Sequence, residues 1–136
     1  MQIPLFKPQT EWLPPESFPD LSKYDEIAID LETKDPDLMK MGSGSVVGNG
    51  DVVGVAVAVQ GWSGYYPIAH EGGGNMDRKK VLTWFQGVLN TSATKVFHNA
   101  MYDMCWIRAL GLSVNGKIVD TMIASALVDE NQMRYD

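Results

Sequence analysis

The sequence predicts an α/β fold in which helices flank a mixed β-sheet. Three observations carry the prediction. Strand-like segments come first, DEIAIDLE, DVVGVAVAV and GYYPIAH. Segments of helical periodicity then alternate with short apolar runs. The join between the second and third strands, GWSG, is short enough for a hairpin, so the early strands form an antiparallel meander and the later ones need crossovers.

The elements follow in chain order. Five of the seven prolines fall in the first twenty residues, with Phe6, Trp12 and Phe18 between them. They predict an extended arm, residues 1–24, docked on a core through a few apolar side chains; residues 25–136 then form one domain. In DEIAIDLE, Ile27, Ile29 and Leu31 share one face of a strand, and Ala28, Asp30 and Glu32 the other. Pro36 ends it. The glycine-rich GSGSVVGNGD (Gly42 to Asp51) leads into a strand, whereas a phosphate loop needs a helix N-terminus next, so a flexible connection is expected. NMDRKKVLTWFQGVLN places Val81, Trp84, Phe85, Val88 and Leu89 on one helical face, with Asn75 or Asp77 as the cap. KVFH reads as a short buried strand, and NAMYDMCWIRAL as a helix stopped by Gly111. GKIVD is a further strand and TMIASALVD a further short helix. The predicted order is β-β-β-α-β-α-β-α.

Composition narrows the function. With 136 residues, 45% hydrophobic and 21% charged, the chain is an ordinary globular domain with a core of its own. No apolar run is long enough to span a membrane, and the first residues lack the pattern of a signal peptide. Cys105 is the sole cysteine, which excludes an internal disulfide and suits a reducing, cytoplasmic setting. A net charge of −6 argues against a broad phosphate-neutralising surface and fits a site that collects divalent cations.

Three carboxylates stand out by position. Asp30 and Glu32 lie side by side at a strand end. Two unit charges about 4 Å apart repel by ~4 kcal/mol at an effective dielectric of 20, so the pair needs a cation, a shared proton or solvent. A solvated strand edge would satisfy it as well. In VFHNAMYDMCWI, Asn99 and Asp103 are one helical turn apart, expected on one face, with Tyr102, Met104 and Ile107 making the helix largely apolar. The other conspicuous residues have plainer readings: His70 at a strand end, His98 as a junction hydrogen-bonder, Asp120 as an N-cap, Cys105 in the core and the methionines as packing.

Taken together, DLET, GYYPIAH, VFHNAMYD and IVDTMIASALV, in that order and spacing, resemble the 3′ to 5′ proofreading exonuclease domain of family A DNA polymerases, particularly phage and bacterial ones. The resemblance covers about residues 25–130. It implies an RNase H-like, DnaQ-like fold, a mixed sheet with flanking helices, incomplete at its C-terminus. It also implies two divalent ions, Mg²⁺ or Mn²⁺, with Asp30 bridging them, Glu32 on the ion that activates water and Asp103 on the other. Leu31, Thr33, Asn99 and Tyr102 would contact the DNA, with Met101 as a further apolar contributor. The substrate implied is a single-stranded DNA 3′ end, the partner a polymerase domain downstream, and the setting the cytoplasm of a bacterial or phage-infected cell. Mispaired ends open more easily, since each duplex step costs ~1.4 kcal/mol on average. The family's third motif, a tyrosine three residues ahead of an aspartate, is not found, because Tyr135 and Asp136 are adjacent. A fragment of a longer polypeptide, or a short relative, with loose metal binding and little turnover, is therefore expected. An RNase D-like exoribonuclease and a non-catalytic nucleic-acid-binding module of the same fold are the alternatives.

Overall fold

Among residues 13–128, which the computed structural model describes, the alternation in EIAIDLETK becomes the central strand β1 (Glu26–Lys34). Ile27, Ile29 and Leu31 are buried, whereas Ala28, Asp30 and Glu32 are exposed. β2 (Asp51–Val59) runs antiparallel beside it and turns at Gln60–Gly61 into β3 (Trp62–Pro67), so the hairpin turn takes in only the first residue of GWSG. Gly61 has φ 85°, a conformation glycine adopts without strain.

The connection from β1 to β2, expected to be flexible, instead holds two one-turn helices, α1 (Leu38–Met41) and α2 (Gly44–Val47). Asp35 organises it by accepting the Gly44 N–H on both carboxylate oxygens, at 3.1 and 3.0 Å. Asn49 donates to Asp37 at 2.7 Å and closes the far end.

α3 (Arg78–Asn90) buries Val81, Phe85, Val88 and Leu89 against the sheet, and Asp77 caps it by accepting the Lys80 N–H. Asn75 does not cap this helix; its amide brackets the His70 backbone from both sides. The crossover returns the chain to β4 (Thr94–Phe97), parallel to β1, and α4 (Ala100–Ala109) leads on to β5 (Ile118–Asp120), parallel to β4. α5 (Thr121–Val128) follows, giving the strand order β3-β2-β1-β4-β5.

Apolar side chains of β1, β2 and β4 meet α3 and α4 on one face of the sheet. Lys95 of β4 is buried among them, its ammonium donating to the carbonyls of Thr91 and Asn115. Burial pushes that ammonium's pKa down. The N-terminal segment docks through Phe18, which stacks on Tyr66 with ring centres 5.5 Å apart, while Trp84 Nε1 donates to the Pro19 carbonyl. Phe6 and Trp12 lie outside the described residues, as do Tyr135 and Asp136.

Candidate active site

β1 presents Asp30 and Glu32 on the face opposite the core. Their cross-strand partners on β2 are Ala56 and Gly54, the next pair along is Ala28 with Ala58, and these small side chains leave the surface low. A groove of about 730 Å³ runs there, lined by Asp30, Ala56, Ala58, Tyr65, Val96 and His98. Between Glu32 and Thr33 the register shifts: Glu32 faces Gly54 but Thr33 faces Val52, leaving Val53 as the additional residue. Such a bulge re-aims side chains, and bulges are over-represented beside active sites. The Val53 carbonyl accepts the N–H groups of Ile68 and Ala69, which anchors the chain beyond β3.

Tyr65 of β3 lies across Gly54. A methyl group there would come within 2.0 Å of its hydroxyl. That hydroxyl is 2.5 Å from His70 Nε2, and burial followed by the charge of Glu32 pushes its pKa up. Gly54→Ala is therefore expected to displace Tyr65 and to destabilise the protein by about 1–3 kcal/mol through overpacking. Urea unfolding checks it, and a midpoint equal to that of the parent would show that the ring is free to move.

Asp103 reaches the pair from α4. It is 3% exposed, and its Oδ2 has no hydrogen-bond partner among the described residues. Burial, then the negative charge of Asp30, raises its pKa to about 7; the Leu31 amide offsets part of this, while Glu32 and Asp120 add to it. Asp103 thus feels the charge of both Asp30 and Glu32.

Asn99 is placed differently from the expectation. It lies not within the helix but at the N-cap of α4, with φ 64° and ψ 62°, the sole non-glycine residue of positive φ among those described. Asn tolerates that left-handed conformation better than most residues. Asp120 secures it, accepting the N–H groups of Asn99 and Ala100 at 3.0 and 2.9 Å and that of Met122 at 2.9 Å. Burial opposes the charge of Asp120, but the amides of Ala100, Met122, Asn99 and Ile123 outweigh it and hold the carboxyl below its usual range. Asp120 caps α5 as expected and also fastens the start of α4 to β5. His98 is exposed, with Nδ1 2.9 Å from Thr121 Oγ1.

The expected strand contacts divide. Leu31 is 5% exposed and belongs to the core with Ile27 and Ile29, so its side chain is not a surface contact. Met101, 75% exposed, remains at the surface. Thr33 and Tyr102 are half-buried and joined, Thr33 Oγ1 lying 2.9 Å from the Tyr102 hydroxyl. Burial pushes the pKa of that hydroxyl up, and Trp106 Nε1 nearby is buried without a hydrogen-bond partner among the described residues. Cys105, expected in the core, is half-buried on α4.

Among the described residues, no three His, Cys, Asp or Glu side chains close on a single point as a preformed metal site. The donor chemistry nevertheless suits Mg²⁺ or Mn²⁺. These ions take one or two carboxylates and complete their shells with water and substrate phosphate, and Asp103 offers a buried oxygen that nothing else uses.

A family model described as 3′-5′ exonuclease, that of family A DNA polymerases, matches residues 7–136. The chain belongs to this family. Phage DNA polymerases resemble it over most of its length. It is 34% identical to a DNA-directed DNA polymerase of Pseudomonas phage M6 over 99% of this chain and 22% of that one. It is 30% identical to DNA polymerase DpoZ of Salmonella phage PMBT28 over 87% of this chain and 17% of that one. The chain thus spans about a fifth of the length of these relatives. Among solved structures, Brucella melitensis NrnC bound to pGG matches with a TM-score of 0.56 at 22% identity, covering 86% of this chain and 50% of that one. This likeness identifies the fold as the RNase H-like, DnaQ-like one. No helix among the described residues is long and apolar enough to cross a membrane.

Proposed function

We propose that this chain removes nucleotides from the 3′ end of single-stranded DNA by hydrolysing phosphodiester bonds, as the proofreading part of a DNA polymerase acting in the cytoplasm of a bacterial or phage-infected cell. One observation carries the reading: in a member of this exonuclease family, a buried carboxylate with an oxygen unpartnered among the described residues, Asp103, feels the charge of the exposed pair Asp30 and Glu32. The polymerase relatives favour DNA over RNA as the substrate.

Asp30, Glu32 and Asp103 would hold two divalent ions, Mg²⁺ or Mn²⁺. Bound there, the ions supply Lewis acidity at the scissile phosphate and lower the pKa of water. The carboxylates contribute a preset negative potential, and Asp103, whose pKa is raised to about 7, would have to lose its proton to serve as a ligand. Ala56 and Ala58 keep the surface beside Asp30 low enough for a nucleotide to lie there. Asn99, Tyr102 and Thr33 contact the strand in this reading. A few such contacts suffice for a short single-stranded end, which reconciles the acidic chain with an anionic substrate.

The test uses the longest native polypeptide that contains this sequence. With Mg²⁺ and a 5′-labelled single-stranded oligonucleotide, a ladder of products shortened from the 3′ end is expected. Asp30→Ala should slow it by about 10³-fold, the equivalent of ~4 kcal/mol of transition-state stabilisation. Cleavage that survives this substitution intact would remove the assignment. A ladder formed faster on RNA than on DNA of the same sequence would shift it to an exoribonuclease.

A further inference from the structure

Asp35 lies one residue past the end of β1 and has no part in the chemistry above. Its carboxylate is nonetheless heavily engaged. The Tyr102 hydroxyl donates to Oδ2 at 2.8 Å, and the Gly44 N–H reaches both oxygens. With the single phenolic proton given to Asp35, the Thr33 hydroxyl is the donor in its 2.9 Å contact with Tyr102. The ring is thus held from β1 on one side and from the β1–β2 connection on the other. Gly44 fits closely: a methyl group there would lie 1.9 Å from the Asn49 carbonyl oxygen and 2.8 Å from Asp35 Oδ1. Tyr102 immediately precedes Asp103, and Thr33 immediately follows Glu32. Along the chain, the network thus adjoins the carboxylates on both elements that supply them, β1 and α4.

We propose that Asp35 is a positioning residue for the DNA strand, locking Tyr102 and the α1–α2 connection into one preset wall beside the carboxylates. The proposal rests on the reading of Tyr102 as a strand contact. A ring already fixed loses little rotational freedom when a base meets it, so the lock raises affinity without touching the substrate. The bond to Asp35 also orients the phenolic oxygen, whose remaining lone pair faces the Thr33 donor.

A double-mutant cycle tests this with two readouts: KM and kcat in Mg²⁺, and the dissociation constant in Ca²⁺ for a single-stranded oligonucleotide ending in 3′-terminal 2-aminopurine. Asp35→Ala is expected to raise KM and the dissociation constant about threefold to tenfold, with kcat changed less than about twofold. Adding Tyr102→Phe should cause no further loss, because both substitutions break the same link. Asp35→Asn should recover most of the affinity, since its amide oxygen accepts from Gly44 and its N–H can donate to the phenol. Unchanged affinity in Asp35→Ala, or losses that simply add, would overturn the proposal and leave Asp35 a folding role only. If Asp35→Ala does not fold, Tyr102→Phe alone decides, weakened affinity supporting the lock and unchanged affinity refuting it. Asp30→Ala keeps the two levels apart: its failure to stop cleavage would overturn the exonuclease reading, whereas the Asp35 result is read on strand affinity.

Discussion

Asp103→Asn is expected to make the metal-free protein more stable and, at the same time, to abolish hydrolysis. Burial and the neighbouring carboxylates raise the Asp103 pKa from 3.8 to about 7. The folded chain therefore binds a proton more tightly than the unfolded chain does. Stability from this group is fully present below about pH 4 and is lost as pH rises through about 7. At pH 8 the native state carries an ionised, buried carboxylate beside Asp30 and Glu32, and the amide removes that charge. A shift of about three units corresponds to ~4 kcal/mol. The amide still leaves a buried polar atom unpaired, so a gain of about 2–4 kcal/mol is expected at pH 8 and almost none at pH 4. Thermal unfolding with a chelator at the two pH values measures it. Added Mg²⁺ should then raise the melting temperature of the parent more than that of the variant, because only the parent retains the full ligand set. A variant less stable than the parent at pH 8 would mean that Asp103 is satisfied in the native state by a partner other than a cation.

Lys95→Ala should have the largest purely structural effect. The residue is fully buried, and its ammonium satisfies the carbonyls of Thr91 and Asn115 at the two ends of the segment joining α3, β4 and β5. Truncation would leave two acceptors without this donor and open a cavity, a loss of about 3–5 kcal/mol. Urea unfolding is the measurement, and a change under about 1 kcal/mol would show that the clamp is dispensable. Gly116, with φ 83°, is part of the same corner: a methyl group on it would come within 2.8 Å of the Ala93 carbonyl oxygen.

The parts of this molecule that were legible in its sequence are those governed by periodicity. The two-residue alternation in EIAIDLE separates Asp30 and Glu32 from the core, and the spacing of Val81, Phe85, Val88 and Leu89 fixes the inner face of α3. What periodicity does not encode was not legible. α1 and α2 have four residues each, too short for a repeating pattern, and they owe their place to the distant Tyr102 as much as to local bonds. Asn99 was expected on a helical face because nothing in NAMYD marks a left-handed residue; Asp120, twenty-one residues away, supports that geometry. Lys95 alternates correctly for an inward position, but its polarity hides this until the carbonyls that receive it are known. Asp35 bears the same kind of concealment. A carboxylate in LETKDPD looks solvated until the fold supplies three donor contacts from Gly44 and Tyr102.

The parallel pairing of β1 with β4 also has a kinetic side. These strands pair Ile27 with Lys95, so their contact closes a loop of almost seventy residues that contains the rest of the meander and α3. Non-local closures of this kind are slow steps in folding. During synthesis, a nascent chain exposes Asp30 and Glu32 long before Asp103 has been translated. Its divalent-ion affinity would therefore be that of an isolated acidic pair until the crossover is complete, and the candidate site would be assembled only once α4 has packed.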